Sequence, residues 1–264
     1  MLGFVRDRAG RDRRAIQSDK EVISARWNEI VRAFESPCVY NRCRMANAEN
    51  ACILMFSGGR DSTIAAVRLG ERFQNLILAT VTSEHLVGHE KVHARLRELR
   101  PHVPLNTTFI RMAQPDTISA DMLSEATCLP CHRAYVAVGT TLAQRRGISN
   151  LAFGYVAYQN GWPEQTPYAT SRLRELLRSV GISLHLPVED LVSKEHAIAE
   201  LVALRMSPDA LEQKCLKQEF NSELPAESLK KEIDKWEQST RNQLASSQQL
   251  TLTVLSEMRL DELS

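Results

Sequence analysis

The chain of 264 residues is long enough for one large α/β domain, or for a domain with an appendage. An apolar fraction of 43% supports a sizeable core, and a net charge of +1 excludes the overall basic balance of a protein that grips a long stretch of nucleic acid, leaving only a local basic patch. No apolar run approaches the ~20 residues that span a bilayer, and Met1-Leu2-Gly3-Phe4-Val5-Arg6-Asp7-Arg8 becomes charged without an apolar signal core, so no membrane and a reducing cytoplasm are expected.

Residues 1–15 hold five arginines against two aspartates and read as a basic arm. It is either a solvated tail or a contact for RNA. From Glu21 to Phe34 the apolar residues Val22, Ile23, Trp27, Ile30, Val31 and Phe34 recur at helical spacing. Ala51 to Phe56 is a short continuous apolar run, the pattern of a strand buried on both faces. A helix through Ile64 to Leu69 follows it. A second strand is expected over Leu76 to Val81, a charged helix over His89 to Leu99, and a third strand over Thr107 to Met112.

Arg133 to Arg146 predicts a helix closed by Gly147, and Asn150 to Gly154 a fourth strand. Ser171 to Ser179 is helical up to Gly181, Leu184 to Val188 is extended, and Asp190 or Ser193 caps a helix to about Leu204. Strands and helices in alternation predict an α/β fold with a doubly wound parallel sheet. Beyond about Asn221 Glu and Lys dominate, and a helical appendage is expected, folded back or used for self-association, which admits a homodimer. The expected organisation is an arm and amphipathic helix over 1–48, a main domain over 49–218 and the appendage over 219–264.

Between the first strand and its helix lies Ser57-Gly58-Gly59-Arg60-Asp61-Ser62-Thr63. Two glycines allow backbone angles closed to other residues and close approach of a ligand. The next helix aims its free N–H groups and positive dipole end at an anion there. Ser57 and Ser62 add hydroxyl donors, and Asp61 offers oxygen ligands for Mg²⁺. The Gly-Lys-Ser/Thr ending of the P-loop NTPases is missing.

Ser-Gly-Gly-x-Asp-Ser after a first strand resembles the PP-loop of the N-type ATP pyrophosphatases. The resemblance implies that Ser57 to Thr63 bind the phosphates of ATP with Mg²⁺ while a substrate oxygen attacks the α-phosphorus, giving an adenylated intermediate, AMP and pyrophosphate. The resemblance also places Gly154, at the end of the fourth strand, in the same site. Ala79 and Val81, at the end of the second strand, are expected walls for the adenine.

Within the superfamily, Gly154 to Pro167 and Pro187 to Glu195 resemble segments of the 7-cyano-7-deazaguanine synthases, and Cys215 stands where those enzymes begin a terminal zinc cluster. The matches span about residues 51 to 216. By its family position Lys194 neutralises charge building on the α-phosphate, and Arg133 is a second candidate for that work. The chain departs from the synthases at Leu129-Pro130-Cys131-His132-Arg133, at Glu164 and at Thr166, and no cysteine follows Cys215. These departures imply the same adenylation step on another acceptor, a deazapurine-like small molecule or a related carboxylate. Glu164 is a candidate for Mg²⁺ or a substrate amine, its ordinary fate being an exposed turn.

Cys128-x-x-Cys131 with a distant Cys215 also resembles the three-cysteine pattern of the tRNA 2-thiocytidine synthetases, which implies a [4Fe–4S] cluster and tRNA as partner. Two thiolates at that spacing can bite one metal and a third can close the site. Zinc, with His132 or water as a fourth ligand, a reactive thiol and inert packing all remain open. Where those thiolases carry Gly-His-x-x-Asp-Asp, this chain has Gly154, Tyr155, Tyr158 and Gln159. Cys52 reads as a buried hydrophobe and Cys38 and Cys43 as surface or packed thiols. Three functions therefore stand: an adenylating synthase with nitrogen or sulfur transfer, an iron–sulfur tRNA thiolase, and a non-catalytic partner that senses nucleotide.

Overall fold

The computed structural model describes residues 49–115, 127–216 and 224–263. The expected basic arm, the helix from Glu21 to Phe34, Cys38 and Cys43 lie outside them.

In chain order the elements are β1 (Ala51–Met55), α1 (Arg60–Gly70), β2 (Asn75–Thr82), β3 (Leu86–Val87), α2 (His89–Leu99), β4 (Thr108–Ala113), α3 (Leu129–Arg146) and β5 (Asn150–Phe153). Then come α4 (Pro167–Ser179), β6 (Ser183–His185), α5 (Lys194–Ala203), β7 (Lys214–Cys215), α6 (Ala226–Ala245) and β8 (Val254–Arg259). Six strands form one sheet in the order β6-β5-β1-β2-β4-β8. The first five are parallel, and β8 runs antiparallel on β4. The class is α/β, as the alternation predicts.

Alternate residues of the central strands feed two apolar layers. Cys52 and Leu54 of β1 and Phe56 just after it pack with Ile64 and Leu69 of α1, Leu96 of α2 and Leu201 of α5. Ile53 packs on the other face with Val136 and Leu142 of α3, Leu173 of α4 and Trp236 of α6. Ile53 and Leu54 are fully buried. Each such side chain contributes ~1.5–3 kcal/mol relative to exposure, which explains why this strand is apolar at every position.

Two helices begin earlier than their apolar periodicity indicates. α3 starts at Leu129 because Pro130 fits a first turn, where its missing N–H costs nothing. α4 starts at Pro167, capped by Thr166, whose hydroxyl accepts from the Ala169 amide at 3.2 Å. Ser193, not Asp190, caps α5. Asp190 instead pairs with Arg68 of α1 at 2.5 Å, and Arg68 also holds Glu200 of α5 at 2.8 Å.

The segment expected as a helical appendage is a helix and a strand. α6 packs on α3 and α4, and β8 closes one edge of the sheet. The half-exposed alternation of Val254–Arg259 is an edge-strand pattern. No helix among the described residues is long and apolar enough to cross a membrane.

Candidate active site

β1 is flanked by β2 on one side and β5 on the other, so the strand order reverses direction beside it. Open α/β sheets bind ligands at such a switch point, beyond the carboxyl ends of the strands. A cleft of ≈ 480 Å³ opens there, lined by Ser57, Gly59, Arg60, Asp61, Ser62, Ala79, Val81, Gly154 and Lys194, together with Tyr135, Tyr155, Tyr158, Trp162, Glu212 and Gln213. It gathers residues from six separate parts of the chain.

The loop after β1 is set by its own hydrogen bonds. Gly58 has φ +84°, a left-handed value that a side chain resists. The Gly59 amide donates to Ser57 Oγ at 3.2 Å, and the Ser57 and Ser62 hydroxyls meet at 3.0 Å. Thr63 is buried and donates its hydroxyl to the Gly59 carbonyl at 2.7 Å, so it braces the turn behind the cleft. Arg60, Asp61 and Ser62 form the first turn of α1, where backbone N–H groups have no intrahelical acceptor. Free N–H groups at a helix start could hold an anion. Gly154 matters by its missing side chain: a Cβ there would stand 2.9 Å from the Ser62 nitrogen.

Tyr158 donates its hydroxyl to Asp61 Oδ1 at 2.5 Å. Burial pushes the Asp61 carboxyl above the ordinary carboxylate range, and this hydrogen bond and Arg60 offset part of that rise. Arg60 donates to the Pro208 carbonyl at 2.5 Å. Lys194, the first residue of α5, also lines the cleft. Gly58, Thr63 and Arg133 do not line the cleft; from the turn that carries Arg133, His132 and Tyr135 do. His89 stays at the exposed start of α2.

Glu164 is only 2% exposed, contrary to the ordinary fate of a turn carboxylate. Its Oε1 lies 3.4 Å from His132 Nε2, and His132 Nδ1 lies 2.9 Å from the Tyr155 hydroxyl. Burial lowers the His132 pKa against the pull of Glu164.

Cys128 caps α3, Cys131 follows one turn later, and Cys215 sits on β7, paired with Leu86 of β3. Burial pushes the Cys128 thiol up to about 12, and the charges of Glu164, Cys131 and Cys215 add to it. The Cys131 thiol is pushed up to about 11, by burial and then by Cys215 and Glu164. The charges of all three thiols also act on Tyr135, which lines the cleft. Among the described residues no group of three or more His, Cys, Asp or Glu side chains is drawn together closely enough to hold a metal ion. Cys52 is wholly buried in β1, as its pattern predicts.

The sequence reading missed Glu212 and Gln213, which reach the cleft from the segment before β7. Their only local signal is two polar residues ahead of Cys215.

No protein-family model and no curated protein sequence matches the chain. Among solved structures, a 4-thiouridine synthetase in complex with RNA and bound ATP superposes with a TM-score of 0.54 at 13% identity, over 78% of this chain and 55% of that one. The chain thus spans about half the length of that enzyme. A U34-tRNA thiolase from Methanococcus maripaludis with its [4Fe–4S] cluster matches at TM-score 0.44 and 16% identity, covering 76% of this chain and 72% of that one. A predicted subunit of tRNA methyltransferase from Methanocaldococcus jannaschii matches at TM-score 0.38 and 14% identity, over 60% and 90%. At such identities the likeness is one of fold. The chain has the α/β fold of the PP-loop, adenine nucleotide alpha hydrolase-like proteins.

Proposed function

We propose that the cleft binds ATP with its triphosphate on Ser57 to Ser62 and opens it between the α- and β-phosphates, making the protein an adenylating enzyme. The observation that carries this reading is the loop itself: a left-handed Gly58, two facing hydroxyls and the free first turn of α1, pressed against Gly154 at the switch point of the sheet. An acceptor oxygen attacks the α-phosphorus in line, pyrophosphate leaves against the loop amides, and a nitrogen or sulfur nucleophile then displaces AMP. Lys194 lines the cleft and is the cation assigned to neutralise charge building on the α-phosphate. Asp61 and Glu212 offer oxygens to a Mg²⁺ ion accompanying ATP; Glu212 Oε2 is buried without a hydrogen-bond partner and lies beside Gly59. Such an ion would neutralise the departing pyrophosphate.

A second reading concerns the acceptor half. Cys128 and Cys131 at the start of α3 and Cys215 paired with Leu86 of the cleft wall support sulfur over nitrogen and a tRNA base over a small molecule. Cys128, Cys131 and Cys215 would hold a [4Fe–4S] cluster or zinc after drawing closer, and three thiolates suit a cluster with one open iron. Bound there, a cluster would carry sulfur, whereas zinc would brace the fold. The 4-thiouridine synthetase of like fold was solved with RNA and ATP, so tRNA is the first acceptor to test.

The test is release of AMP and pyrophosphate from ATP with and without tRNA, on protein reconstituted anaerobically with iron and sulfide. Adenylation predicts pyrophosphate release that Asp61→Ala abolishes. The thiolase reading predicts absorbance near ~400 nm that Cys128→Ala removes, and colourless protein with stoichiometric zinc refutes it. ATP binding with no pyrophosphate release for any acceptor refutes catalysis and leaves a nucleotide sensor.

A further inference from the structure

Ahead of β7, residues 207–213 lie as a strap across the loop after β1. Arg95 of α2, fully buried, donates to the carbonyls of Ser207 at 3.0 Å and Asp209 at 2.6 Å, and its Nε reaches Gly58 O at 3.4 Å. Arg60 fastens the same strap through Pro208. The strap ends by sending Gln213 into the cleft at the carboxyl end of β2, beside Val81.

There the Gln213 amide is pinned. The Val81 carbonyl can only accept, so the Gln213 nitrogen must face it, at 3.3 Å. The Thr82 hydroxyl donates to Gln213 Oε1 at 2.7 Å. Flipping the amide would set oxygen against the Val81 oxygen. The two pins use one N–H and one lone pair, and a primary amide has two of each. One donor and one acceptor remain, in a fixed order.

Nucleobases differ in that order. Adenine offers an amine donor next to a ring-nitrogen acceptor, whereas guanine offers a carbonyl acceptor next to a ring N–H donor. With the triphosphate held on Ser57 to Ser62, the direction from which the base enters is set. We propose that Gln213 is the specificity residue for the nucleotide: Oε1 accepts from the adenine amine, Nε2 donates to the adjacent ring nitrogen, and guanine is rejected. This rests on the ATP reading above and adds the residue that enforces it. Ala79 and Val81 supply apolar wall beside it.

The experiment is equilibrium binding of ATP, GTP and inorganic tripolyphosphate to the full chain and to the Gln213→Ala and Thr82→Val variants, with melting curves to confirm folding. Wild type is expected to prefer ATP. Gln213→Ala lowers ATP affinity about tenfold, the scale of two neutral hydrogen bonds, and erases the preference over GTP, with tripolyphosphate unchanged. Thr82→Val removes one of the two bonds that hold the amide while the Val81 carbonyl still fixes its order, so it weakens the preference for ATP less than Gln213→Ala does. An ATP-to-GTP ratio unchanged in both variants overturns the proposal. So does an equal loss for tripolyphosphate, which would make Gln213 a support of the loop. Wild-type protein that binds neither nucleotide removes the ATP reading as well, so the two failures are distinguishable.

Discussion

Replacing Gly154 by alanine tests the site through a single methyl group. The new Cβ would stand 2.9 Å from both the nitrogen and the Cα of Ser62 and 3.2 Å from the carbonyl carbon of Asp61. All three are backbone atoms of the first turn of α1, so no side chain can swing aside. Restoring ordinary contact at ~3.5–4.0 Å moves the turn, or the end of β5, by roughly 0.6–1 Å. Overpacking of that kind costs ~1–3 kcal/mol, and in a chain of this size it lowers the melting temperature by roughly 3–10 °C. The larger effect falls on the ligand. A ~1 Å misplacement of a positioning group costs on the order of 10²-fold, so ATP affinity measured by calorimetry is expected to drop about a hundredfold in protein that is still folded. Gly181→Ala is the control: its φ is +78° with nothing within 4 Å of a Cβ. It carries the left-handed penalty of ~1–2 kcal/mol and leaves ATP binding alone. Wild-type ATP affinity in Gly154→Ala, or an equal loss in Gly181→Ala, would refute the close-approach argument.

Asp61→Asn separates stability from function. Burial raises the Asp61 pKa in the folded state, so the native chain holds that proton more tightly than the unfolded chain, and stability falls as pH rises through the window from the unfolded value of ~3.9 to the raised one. Asparagine keeps an acceptor for Tyr158 without the charge, so the variant is expected to melt above wild type at neutral pH, to converge with it in acid and to release no pyrophosphate; a lower melting temperature at neutral pH refutes this. Arg95→Met leaves the Ser207 and Asp209 carbonyls without their donor, which should cost ~1–3 kcal/mol per carbonyl in urea unfolding and weaken ATP binding as the strap loosens; a loss under ~1 kcal/mol counts against its role as the anchor. With Cys128 pushed up to about 12 and Cys131 to about 11, both thiols of metal-free protein are protonated at mildly alkaline pH. Mass spectrometry should find their alkylation at least ~100-fold slower than in the unfolded chain, and rapid labelling contradicts the buried arrangement.

Much of the fold is legible in short stretches. Ala51 to Met55 is apolar at every position because both faces of a central parallel strand are covered. The Ser57–Ser62 loop is legible because its hydrogen bonds join residues at most five apart. Boundaries slipped where a cap outweighed periodicity, as at Thr166 before Pro167. β8 was hidden because an edge strand with one partner needs no continuous apolar run, and its charged residues read as an appendage. Glu164 looked exposed because a turn carboxylate usually is; its burial is decided by α3, which brings His132 against it.

The sequence by itself determined that a glycine turn opening onto a helix start follows the first buried strand, and that alternating strands and helices surround it, since both depend on backbone preferences and burial patterns of neighbouring residues. Only the tertiary structure decided what faces that turn. Tyr158 on Asp61, Gln213 on Val81, and Cys215 paired with Leu86 join residues far apart in the chain. Such pairs follow from which strands lie side by side, and strand order is fixed by how the whole core packs.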